Sequence, residues 1–148
     1  MRAEKKQSNS TTAFLVASSV EGIVAQRLVR GLCTNCRQPA KIDEEFLREH
    51  SFPVERLATE GPIYEAVGCD ECRGNGYKGR SGIFEIMQVT DEIRPLVIAH
   101  SSAAEIKQAA LNQGMKTLRE DGWDKVLAGV TTIDEILRVT EDNELEDE

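Results

Sequence analysis

The sequence predicts a mixed α+β fold with a metal-clasped insert and a helical C-terminal third, and three observations predict it. Two β-branched runs, residues 23–30 and 81–89, stand far apart in a chain of 148 residues. Two C-x2-C pairs, Cys33 with Cys36 and Cys69 with Cys72, lie between them. After Val89 the apolar period changes from strand-like to helical.

In chain order, residues 1–12 are polar and are expected to be disordered or foreign to the folded protein. Residues 14–20 are apolar and fit the opening of a buried helix. The run 23–30, bounded by Gly22 and Gly31, reads as a strand, and 81–89 as a second; both carry apolar residues on both faces, so each is expected to be covered on two sides. Between them, Asp43 is placed to cap a short helix carrying Phe46 and Leu47, Pro53 to begin another with Val54 and Leu57, and residues 63–67 to alternate as a strand.

Three S/T-x-x-E signatures mark the helical part: Ser102 with Glu105, Thr117 with Glu120, and Thr132 with Glu135. In each, the hydroxyl is placed to accept the amide three residues on, while the glutamate reaches back to the cap amide. Asp91 is expected to cap an earlier helix through Leu96 and Val97, with Pro95 in or near its tolerant first turn.

Net charge is −8, unevenly spread: residues 1–40 hold six basic and two acidic side chains, and the last eight hold six carboxylates. That acidic end should stay solvated. Phosphate-backbone binding needs a concentrated basic face, and no such run occurs, so nucleic acid is an unfavoured partner. No stretch approaches the roughly 18 apolar residues of a membrane span. The polar start lacks the apolar core of a secretion signal, which makes a cytosolic address the default and disulfides disfavoured.

The cysteine spacing is C-x2-C, thirty-two residues, then C-x2-C. Two residues between ligands let one tight turn present both sulfurs to a metal ion. Two such turns make a closed site of four thiolates, the structural zinc arrangement, with Cys33, Cys36, Cys69 and Cys72 as ligands and no position left for water. Four thiolates on Zn2+ carry a formal −2 charge, which is costly to bury unless amides or cations offset it. Arg37 and Arg73, each directly after a pair, are candidates to approach the sulfurs. Chelation is then expected to erase tertiary structure around residues 33–80 while the C-terminal helices largely persist.

Residues 69–76 have the C-x2-C-x-G-x-G form of the zinc region of DnaJ-type co-chaperones, but Cys33-Thr34-Asn35-Cys36-Arg37-Gln38-Pro39 lacks the glycines. A chaperone-like zinc module and a zinc-ribbon nucleic-acid-binding module are therefore alternatives.

Three stretches together point elsewhere: residues 14–30; residues 69–85, with Gly74-Asn75-Gly76-Tyr77-Lys78-Gly79-Arg80-Ser81-Gly82; and residues 121–140, which open on Asp121-Gly122-Trp123-Asp124. Over about residues 14–140 the chain resembles the C-terminal segment of the type II secretion and type IV pilus assembly ATPases, including their tetracysteine subdomain. The resemblance implies the last strands of a truncated RecA-like domain (13–32 and 80–90), an inserted zinc subdomain (33–79), a C-terminal helical subdomain (91–140) and an acidic disordered tail (141–148). It further implies a bacterial cytoplasmic motor, peripheral to the inner membrane. Its partners would be the other subunits of a hexamer and the cytoplasmic side of a secretion or pilus platform.

ATP and Mg2+ would belong only to the complete parent protein. This chain has no G-x4-G-K-[ST] phosphate loop and no apolar strand ending in magnesium-site acids, so it is expected to be inactive alone, with no catalytic residue of its own. Arg80 matches a family arginine, and the resemblance suggests a nucleotide or intersubunit contact for it; pairing with Glu85 or with the thiolates is the structural alternative. Arg27 and Arg30 are expected to serve packing or surface pairing.

Overall fold

The computed structural model describes the backbone of residues 2–141, with side chains from Ser10 onward. Apart from Glu141, the expected acidic tail lies outside the described residues. Helices and short strands mix as expected, around a cysteine cluster. The chain divides into two compact units, residues 1–25 with 85–116 and residues 26–84 with 117–148, so the helices expected as one subdomain at 91–140 fall in both.

Helix α1 (Arg2–Ser19) begins earlier than the expected residue 13, through residues of good helix propensity such as Ala3, Glu4, Lys5 and Lys6. Strands β1 (Gly22–Leu32) and β4 (Tyr77–Gln88) form a two-stranded sheet. Between them come β2 (Gln38–Pro39), α2 (Glu44–Glu49), a 3-10 turn (Val54–Arg56), α3 (Leu57–Glu60) and β3 (Tyr64–Glu65). Then follow α4 (Ile93–Ile98), α5 (Ala103–Asn112), α6 (Leu118–Leu127) and α7 (Ile133–Thr140).

In the first unit, α1 packs on α4 and α4 on α5. Val89, Ile93 and Ala110 form the buried centre, with Val20, Met87, Val97, Ile106, Ala109 and Met115 against it. Among the described side chains of α1, the small residues Ala13 and Ala17, one turn apart, are buried; Phe14, Leu15 and Val16 are exposed, which corrects the expectation of a buried apolar helix. Asp91 does not cap α4. The free amides of Ile93 and Arg94 bond the Thr90 carbonyl instead, at 3.1 and 2.9 Å, and the Asp91 carboxylate sits 3.7 Å from Arg94. Arg94 in turn donates to the carbonyl of Ala17 in the last turn of α1, where a cation offsets the helix dipole. Pro95 is the third residue of α4, where no intrahelical amide is lost.

The second unit holds the insert together with α6 and α7. Asp43 caps α2 by accepting the Glu45 amide at 3.0 Å, as its position predicts. β2 and β3 pair antiparallel, Gln38 opposite Glu65 and Pro39 opposite Tyr64, so the strand expected at 63–67 is shorter. Trp123, on α6, sets its ring edge-on to Phe52 of the insert at 5.4 Å. Arg56 bonds Asp124 of α6 at 2.6 Å. Gly122 lets α7 approach α6, since a Cβ there would lie 2.7 Å from Ile136.

Neither strand is covered on two sides. Val29 and Ile83 are wholly buried while their neighbours Leu28 and Phe84 stay exposed, and in the other unit Val24 and Ile86 are open as well. A ribbon whose alternate residues face opposite ways needs two packing layers to hide all of them.

Candidate metal centre

The first cysteine pair follows the end of β1. The amides of Cys36 and Arg37 both bond the carbonyl of Cys33, at 3.3 and 3.0 Å, which folds the chain into a turn carrying two sulfurs on one side. The second pair brackets a 3-10 turn, Asp70–Cys72, with Arg73 in left-handed backbone after it. The bond from Cys33 N–H to the Gly76 carbonyl, 2.9 Å, draws the two turns together.

All four sulfurs lie within 4.8 Å of one another. Cys33 is 3.8 Å from Cys69, Cys36 is 3.8 Å from Cys72, and Cys69 is 3.7 Å from Cys72. A metal with sulfurs at about 2.3 Å in a tetrahedron requires edges of about 3.8 Å. Disulfide bonding would need roughly 2.05 Å, and all four thiols are free. The donor set therefore fits a tetrahedral metal ion.

The sulfurs also have the donors that a buried anionic centre needs. Gly68 N–H reaches Cys36 at 3.3 Å, Cys69 N–H reaches Cys72 at 3.1 Å, Gly76 N–H reaches Cys72 at 3.2 Å, and the Asn35 amide reaches Cys69 at 3.3 Å. Gly76 is obligatory here: its φ is +80°, and a Cβ would lie 2.6 Å from that of Ala66. Burial alone pushes thiols up, and it holds Cys36 at about 11. At Cys72 burial also pushes upward, but the amides of Cys69 and Gly76 outweigh it and bring the thiol down to about 6. Asn35 and the Cys72 amides lower Cys69.

The two arginines do not join this shell. Arg37 points away, donating to the carbonyl of Gly129 and lying over the Tyr64 ring at 4.4 Å. Arg73 is exposed and touches no sulfur. Neutral amides, not guanidiniums, supply the compensation. In the sequence Asn35 is one of two polar residues inside the first C-x2-C turn, beside Thr34.

A second polar node was missed. Glu135, on α7, is 1% exposed and accepts the Arg30 amide at 2.8 Å and the Arg30 guanidinium at 2.9 and 2.8 Å, with two more bonds of 2.9 Å from Arg138. Arg30 also stacks on Tyr77 at 4.1 Å. Burial acts to raise the carboxyl, but the Arg138 and Arg30 bonds prevail and hold it at about 2. This explains why the third capping signature closes only halfway. Thr132 accepts the Glu135 amide at 3.3 Å, whereas the carboxylate turns to the arginines; the Ser102 and Thr117 boxes are complete. The sequence signal was present but was read only as a cap.

Arg30 is thus an ion-pair residue, as expected, and Arg27 bonds the Gln26 carbonyl at 3.4 Å. The Arg80 side chain is exposed on β4 and forms no hydrogen bond or ion pair with other described residues, so neither Glu85 nor the thiolates hold it. No described helix is long and apolar enough to cross a membrane.

Four sulfurs at tetrahedral spacing with their own amide donors define the class of proteins with a tetracysteine group that could hold a metal ion. Within that class, the chain belongs to the type II/IV secretion system protein family, whose model matches residues 7–138. It is 44% identical over 128 residues to the type IV pilus assembly ATPase PilB of Thermus thermophilus, covering 86% of this chain and 14% of that one. It is 45% identical over 129 residues to PilB of Acinetobacter baylyi, covering 86% and 22%. To the type II secretion system protein E of Dickeya dadantii it is 42% identical over 130 residues, covering 87% and 25%. The chain therefore spans a quarter or less of the length of these relatives.

Proposed function

We propose that this chain is the C-terminal, zinc-binding and helical part of a hexameric ATPase that powers pilin or pseudopilin assembly at the cytoplasmic face of a bacterial inner membrane. The tetrahedral spacing of Cys33, Cys36, Cys69 and Cys72 carries the metal half of this reading. Family membership across residues 7–138 supports the motor half. On this reading the helix and strand at 13–32 and the returning strand at 80–90 are the end of a RecA-like domain, and residues 33–79 its insert. The segment itself is non-catalytic, serving the fold and contacts with subunits and platform. Bound zinc would cross-link the two turns, which the four thiolates hold and the amides of Gly68, Cys69 and Gly76 stabilise.

Elemental analysis of the reduced protein is expected to find about one zinc per chain; less than about a tenth of an equivalent would refute the metal assignment. The Arg80 side chain, exposed and without a partner among the described residues, is proposed to contact nucleotide phosphate or a neighbouring subunit, as its always-charged fork suits. Arg80→Ala in a complete motor should lower turnover by about tenfold or more while zinc content stays unchanged. Wild-type turnover in that variant would remove the role.

A further inference from the structure

The residues next to the cysteine turns hold the connection between α6 and α7 at several points. Leu32, directly before Cys33, donates its amide to the Val130 carbonyl at 2.7 Å. Tyr77, directly after Gly76, meets the Thr132 hydroxyl at 3.0 Å, and the Thr131 hydroxyl donates to the Arg30 carbonyl at 2.8 Å. Arg37, directly after Cys36, donates to the Gly129 carbonyl while lying over Tyr64. That carbonyl lies two residues beyond the last residue of α6, beside the helix end where partial negative charge favours a guanidinium. Gly129 is fixed by this contact: its φ is +70°, and a Cβ would lie 2.6 Å from the Arg37 guanidinium and 3.2 Å from the Tyr64 ring.

We infer that Arg37 is a positioning residue that latches the α6–α7 connection to the first cysteine turn, so that metal occupancy sets how firmly the two helices are held. The inference rests on the reading of the four cysteines as a metal site. Its physical basis is that the Arg37 amide is part of the turn that presents Cys33 and Cys36. Metal cross-linking fixes that turn against the second pair, and the guanidinium carries the constraint to Gly129. Loss of the metal frees the turn, and the arginine then has no rigid base from which to hold a carbonyl. The link is charge-assisted and partly buried, the setting in which one such bond contributes most.

The test compares the parent protein with Arg37→Ala and Arg37→Lys, each zinc-loaded and each after chelation. Zinc content is measured together with amide hydrogen exchange at Leu32, whose N–H reports the Val130 contact directly. Zinc-loaded Arg37→Ala is expected to keep its metal while Leu32 exchanges about tenfold faster, the effect of losing one charge-assisted bond. Arg37→Lys should recover part of the protection. Chelation should accelerate Leu32 strongly in the parent but less in Arg37→Ala, since the two changes act through one link. Leu32 exchange within twofold of the parent in zinc-loaded Arg37→Ala overturns the latch alone, as does loss of zinc from that variant. A parent protein that holds no zinc overturns the metal reading, and the latch with it.

Discussion

Replacing Cys72 with serine is expected to abolish stoichiometric zinc binding and to expose Trp123, shifting its emission to the red. Cys72 is buried and accepts the Cys69 and Gly76 amides, so a hydroxyl there leaves a weak ligand among groups arranged for a thiolate. Structural zinc contributes about 10–16 kcal/mol in small zinc-dependent folds, comparable with the roughly 5–15 kcal/mol net stability of a whole domain. The loss should reach beyond the insert, because Phe52 packs on Trp123 and Arg56 binds Asp124. This narrows the expectation that the C-terminal helices would largely persist after chelation. Helices α4 and α5, built around Val89, Ile93 and Ala110, should retain helical circular dichroism. Unchanged Trp123 emission in a zinc-free Cys72→Ser protein would show that α6 does not depend on the metal.

The second large effect is expected at Glu135. Glu135→Ala removes the carboxylate that receives Arg30 and Arg138 and should cost about 2–3 kcal/mol in a denaturant titration. Both guanidiniums are about half exposed and can hydrate once released, which keeps the cost below that of a fully buried pair. The pH dependence follows from the lowered carboxyl. Its folded value of about 2 lies below the unfolded value near 4.3, so the contribution is complete above about pH 4.5 and fades as pH falls toward 2. Glu135→Gln should be less stable at neutral pH and should flatten this part of the acid-unfolding profile. A variant as stable as the parent at pH 7 would show that the node contributes little.

What was legible in the sequence was what short-range chemistry encodes. The C-x2-C pairs mark themselves as a candidate metal site because two intervening residues fit one turn, and the structure brings all four sulfurs together. Ser102 and Thr117 cap helices because a hydroxyl three residues before an amide can reach it. Legibility failed where a residue had a choice of partners. Glu135 had a local amide to satisfy and two arginines to receive, one of them 105 positions away, and the charged donors won. Arg37 was assigned to the nearest anion, the thiolates, whereas a helix-end carbonyl and an aromatic face held it. The open faces at Leu28, Phe84, Val24 and Ile86 were invisible for another reason: apolar sequence records what a strand can bury, not how many layers stand beside it.

The bond between Cys33 and Gly76 has a kinetic consequence. Strands β1 and β4 are distant in sequence, and pairing them across a floppy intervening segment would carry a heavy loop-closure penalty. Sulfurs clasped by zinc, as proposed, would bring the two strand ends together at that bond, so registry could propagate from there like a zip fastened at its base. Refolding should therefore quicken as free zinc is raised.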